Sequence, residues 1–73
     1  MESAITVGAL SPTEQTQIAL SAIVAKAATL GRGVSEPERW RIYEQAKAAM
    51  GGFNPTAEQY EQTIRLLSEA LKI

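Results

Sequence analysis

Cysteine, histidine and aspartate are all missing from this 73-residue chain. Without cysteine there is no disulfide, no thiolate ligand and no thiol nucleophile. Without histidine the commonest metal ligand and the commonest general base are gone. All eight acids are glutamates, so the calcium loop that opens on aspartate is also excluded. Structural zinc falls with the same residues. No metal and no cofactor are expected.

Catalysis is narrowed as sharply. The familiar nucleophile–base arrangements need His, Cys or Asp. A glutamate pair would have to face one cleft. Glu36 and Glu38 instead sit where a helix starts, a place carboxylates favour because they complement the dipole. The Gly31-Arg32-Gly33 stretch lacks the third glycine and the preceding strand of a dinucleotide fingerprint. Proline in the middle of Asn54-Pro55-Thr56 disqualifies it as a glycosylation acceptor. No catalytic residue is assigned, and no enzyme is expected.

Long apolar runs are lacking too, so no membrane span is expected. The opening MESAITVGAL has no basic region ahead of an apolar one, so no secretory leader is expected either. The cytoplasm is the default compartment, and the chain is expected to be a complete short reading frame. Charge is nearly balanced, with a formal net of −1. Residues 1–25 carry Glu2 and Glu14 and no base, while residues 26–50 hold five bases against three acids. A nucleic-acid binder is usually clearly basic, so nucleic acid is disfavoured as a partner.

What is present is helix punctuation. Ser11-Pro12-Thr13-Glu14 offers a serine cap, proline at the first helical position and glutamate at the third. Ser35-Glu36-Pro37-Glu38 offers a second serine cap. Asn54–Gln59 offers either Asn54 as cap, followed by Pro55, or Thr56 as cap with Gln59 reaching back. Gly31 and Gly51-Gly52 are the expected stops. The spacing predicts an all-α fold, a small three-helix bundle over residues 11–73, with helices at about 12–30, 36–50 and 55–72. Residues 1–10 differ: Ile5, Val7 and Ala9 alternate with Thr6 and Gly8, the pattern of an extended segment.

Side-chain periodicity assigns the faces. In the first helix Leu20, Ile23, Val24, Ala27 and Leu30 form an apolar face. Ile18, Ala22, Ala25 and Thr29 form a second one nearly opposite, built of small residues. In the second helix Ile42, Tyr43, Ala46, Ala49 and Met50 point inward, with Phe53 expected to fold in beyond them. In the third, Tyr60, Ile64, Leu67 and Leu71 share a stripe edged by Thr63 and Ala70. Leu66 and Ile73 fall off it as surface apolars. Glu61–Arg65 and Arg65–Glu69 are expected to pair outside.

Two features exceed what a core needs. A helix apolar on both sides is normally covered on both, and two partner helices cover one broad face. Trp40 lies about 60° beyond Tyr43 and off the inward stripe. Arg39-Trp40-Arg41-Ile42-Tyr43 gathers the residue types that dominate interface energies. The expected function is therefore a non-catalytic protein-interaction module: a small regulator, inhibitor or assembly subunit that binds a larger protein or a second copy of itself. The candidate contact residues are Arg39, Trp40, Arg41, Tyr43, Ile18, Ala22 and Ala25. The alternative is a helix-turn-helix DNA-binding regulator, with Arg39, Arg41 and Gln45 near the start of a recognition helix. Its turn, GRGVS, is longer than that motif's usual three or four residues.

Overall fold

A computed structural model describes residues 11–73. The extended segment expected over residues 1–10 lies outside them. The described residues form three helices: α1 Pro12–Leu30, α2 Glu36–Gly51 and α3 Ala57–Leu71. They contain no strand. Helix α1 packs most extensively on α3 and next on α2.

The starts of α1 and α3 are capping boxes. The Ser11 hydroxyl accepts the Glu14 N–H at 3.2 Å, and the Glu14 carboxylate accepts the Ser11 N–H at 3.0 Å. Thr56 and Gln59 repeat the exchange at 3.0 Å each way. Thr56 is thus the cap of α3, and the helix starts two residues later than the expected 55. Asn54 serves the turn instead, with a left-handed φ of 50° that asparagine tolerates better than most residues.

The second serine cap does not form. Ser35 has the extended backbone of a cap, but its hydroxyl accepts no N–H. A capping hydroxyl takes its hydrogen from the second or third helical residue. Here the second is Pro37, which has none. The third, Glu38, turns its carboxylate to Arg41 at 3.4 Å rather than back to Ser35. The loop is fastened another way: Arg39 Nη1 donates to the Val34 carbonyl at 2.9 Å.

The helix ends also differ from expectation. Gly31 and Gly52 close α1 and α2 in right-handed conformations, and α2 runs one residue past the expected 50. Gly31 is needed for clearance. A Cβ there would lie 2.5 Å from Leu71 Cδ2, and Leu71 is fully buried. The left-handed cap belongs to Lys72, with φ 58° and ψ 49°. Its N–H donates to Glu69 O at 3.2 Å, and Ile73 N–H reaches Ser68 O at 3.1 Å. This pair of bonds is a Schellman closure, which turns the last apolar residue back onto the helix. Ile73 accordingly packs against the core instead of standing off it as a surface residue.

The core is a single cluster of Ala27, Ile42, Ala46, Leu67 and Leu71, joined in burial by Leu20 and Met50. Thr63, expected at an edge, is buried. Four residues expected inside are exposed: Leu30, Ala49, Phe53 and Tyr60. Leu30 and Tyr60 sit at helix ends, and Phe53 follows Gly52 in the α2–α3 loop. The neighbouring helices do not reach over them. Leu66 is exposed as expected. Polar ties fix the opposite end of the bundle: Thr16 Oγ1 donates to Phe53 O at 3.3 Å, and Gln59 Nε2 donates to Thr13 O at 3.1 Å. Neither glutamate pair with Arg65 closes; the ion pairs among the described residues are Glu38–Arg41 and Glu44–Lys47.

Candidate functional site

Trp40 is exposed and has one ring contact, with Tyr43. It is 44% exposed on the flank of α2. Its ring stands edge-on to Tyr43, with centroids 5.4 Å apart and planes at 83°. This is the offset geometry that the ring quadrupoles favour. Tyr43 is half-buried against the core, and Lys47 Nζ lies 5.4 Å from its ring centroid. The i, i+3, i+7 spacing on one helix makes the row, so Trp40 rests on a braced ledge. Two pairs flank it, Glu38–Arg41 at 3.4 Å and Glu44–Lys47 at 4.0 Å.

Arg39 is separate from this ledge. It is half-buried, its Nη1 is spent on Val34, and its Nε is shut away from solvent without an acceptor among the described residues. Arg41 is exposed on α2 beside Trp40. The structure therefore brings Trp40 and Tyr43 together, pairs Arg41 with Glu38, and draws Arg39 toward the α1–α2 loop.

The second apolar face of α1 is uncovered by the described helices. Ile18, Ala22, Ala25 and Thr29 are all exposed. Thr29 turns its hydroxyl onto the Ala25 carbonyl at 3.1 Å, which leaves that strip without an outward-facing donor from this residue.

A third surface was missed by sequence reasoning. A groove of about 230 Å³ lies between helices α1 and α2. Its α1 wall is Ile23, Lys26, Ala27 and Leu30; its α2 wall includes Ile42, Ala46 and Ala49. Both walls follow i, i+3, i+4, i+7 spacing. The signal was present in the width of the two apolar stripes. Assigning Leu30 and Ala49 to the core hid it, because a single third helix cannot cover both stripes to their outer edges.

The fold defines this chain as a small all-α three-helix bundle, and none of its described helices is long and apolar enough to cross a membrane. It matches no protein-family model, no curated protein and no solved structure.

Proposed function

We propose that the protein is a non-catalytic protein-binding module and that a larger protein docks on the Trp40 ledge. The observation that carries this reading is an exposed tryptophan whose ring stands edge-on to Tyr43. Interface hot spots are enriched in Trp, Tyr and Arg, and a pre-ordered side chain loses less entropy on binding. The matching partner surface is an apolar pocket wide enough for an indole, with an acceptor for its N–H. The flanking ion pairs supply a polar rim of balanced charge.

The balance also weighs against DNA. Affinity for phosphates rests on unpaired bases and falls steeply with salt. Arg39 is committed to Val34, which leaves Arg41 and Gln45 for a DNA-reading role. Self-association through Ile18, Ala22 and Ala25 is compatible with docking on the ledge, because those residues belong to α1 and the ledge to α2. A cysteine-free chain in the cytoplasm completes the proposal.

The test is capture from the native cell with wild-type protein and Trp40→Ala side by side. Because Trp40 lies outside the core cluster, the variant keeps its helical circular dichroism. A partner retained by the wild type is expected to bind Trp40→Ala about 30-fold more weakly or worse, equivalent to about 2 kcal/mol. Equal retention by both proteins overturns the assignment of the ledge.

A further inference from the structure

Three of the seven bases, Arg32, Arg39 and Lys72, line one cavity of about 530 Å³, and no acid lines it among the described residues. The cavity lies where the ends of α1 and α3 meet the first turn of α2. Glu36, Glu38 and Glu69 are near in sequence but outside the lining, and Glu38 is turned to Arg41. None of the three bases has an ion-pair partner among the described residues. Helix ends offset part of their charge: α1 and α3 each bring roughly half a negative charge, and α2 roughly half a positive one. The balance stays clearly positive, in a chain whose net charge is −1.

We propose that this cavity binds a small organic phosphate, with Arg39 as the fixed anchor, Arg32 and Lys72 as further charges, and Val34 and Ala70 against the organic body. Arg39 is half-buried, and its Nη1 bond to the Val34 carbonyl at 2.9 Å holds the guanidinium at the cavity wall. A guanidinium has five N–H donors, and Val34 takes one. Its Nε is shut away from solvent without an acceptor among the described residues. A partly buried charge with no counter-charge is costly, and an anion in the cavity supplies one. The tie to Val34 also keeps Arg39 from reaching out to a duplex, so it serves a ligand that enters the cavity.

Lys72 gives independent support. It occupies a left-handed position, φ 58°, that suits glycine. Holding a lysine there costs conformational energy, and a role for its ammonium accounts for keeping it. Size and charge narrow the ligand. The volume falls within the roughly 300–1,000 Å³ of small-molecule pockets, more than a bare phosphate fills. A phosphate monoester carries about −1.5 to −2 at pH 7, which matches three bases better than one carboxylate does. Arginine's planar fork fits phosphate oxygens, and lysine acts beside it as a point charge. Trp40 is outside the lining, so the inference does not depend on docking at the ledge.

The experiment titrates the full chain with phenyl phosphate and follows proton–nitrogen NMR spectra. The expected result is saturable shifts at the Gly33, Val34 and Lys72 amides and at the Arg39 Nε–H, which shielding from solvent keeps visible. Inorganic phosphate is expected to move the same signals with weaker affinity. Benzyl alcohol, which has the ring and no charge, is expected to move none of them saturably. Arg32→Gln combined with Lys72→Gln is expected to weaken phenyl phosphate binding about tenfold or more, as loss of a charge-assisted hydrogen bond does. Both residues are exposed, so the double variant keeps its helical circular dichroism. Shifts that do not saturate or that spread equally to Lys26, Arg41 and Arg65 overturn the proposal. So do equal affinity for inorganic phosphate, saturable binding of benzyl alcohol, or unchanged affinity in the double variant.

Discussion

Lys72 sits in a left-handed conformation with φ 58°, in the place helices usually give to glycine. A side chain with a Cβ is crowded there, at a cost of roughly 1–2 kcal/mol. The Schellman bonds hold it in place, because Ile73 must turn back onto the core. Lys72→Gly relieves the crowding and keeps the bonds, but gives unfolded glycine extra freedom to lose. The expected net gain is therefore about 0.5–1 kcal/mol. In a domain of this size that raises the melting temperature by about 2–8 °C. Thermal unfolding followed by circular dichroism checks it; a fall in melting temperature would show that the lysine is not strained. Gly31 shows the opposite case. Its φ of −82° suits any residue, and the nearness of Leu71 explains why a Cβ is unwelcome.

At the scale of the elements, the three caps look alike in sequence and differ in the structure. Ser11 and Thr56 each satisfy an N–H that the helix leaves free, whereas Ser35 satisfies none. Replacing a working cap with alanine costs typically about 1 kcal/mol. Ser11→Ala and Thr56→Ala are each expected to lose that much in urea denaturation. Ser35→Ala is expected to stay within about 0.5 kcal/mol of wild type, as a neutral surface change does. A full loss at Ser35 would mean that its hydroxyl caps in solution.

The same comparison shows what was legible before the structure. Proline and cap residues fix where helices start, because their effects are local, and α1 and α2 begin where those residues place them. The choice between Asn54 and Thr56 was open because either could cap; the turn geometry at Asn54 decides it. Ser35 misled because proline at the second helical position and an arginine within reach of Glu38 act together. The interior was less legible than the boundaries. Periodicity places Leu30, Ala49 and Tyr60 on inward stripes, yet helical phase says nothing about how far a neighbour extends. Trp40 was legible as a residue off the stripe. Its contact with Tyr43 follows from i, i+3 spacing, but the edge-on orientation of the rings depends on how Tyr43 packs against the core. The groove is lined by two helices together, and no single helix encodes it.

For the whole molecule, small size governs the response to any lost contact. A single core in a chain this short rarely supplies more than about 3–5 kcal/mol of net stability. Leu67 has 0% of its surface exposed and lies in the central cluster, while its neighbour Leu66 is 51% exposed. Leu67→Ala removes buried methyl groups and leaves a cavity, a change that costs about 2–5 kcal/mol. That is comparable with the entire stability, so the variant is expected to be largely unfolded at 25 °C, with most of its helical signal lost. Isolated helices of 15 to 19 residues are marginal in water and cannot preserve it. Leu66→Ala one position away is expected to keep its urea midpoint, since a surface change away from such features stays within about 0.5 kcal/mol. The pair separates packing from composition, because both variants lose the same atoms from the same helix. A Leu67→Ala variant that unfolds with a midpoint close to that of Leu66→Ala would mean that stability resides outside the cluster of Ala27, Ile42, Ala46, Leu67 and Leu71.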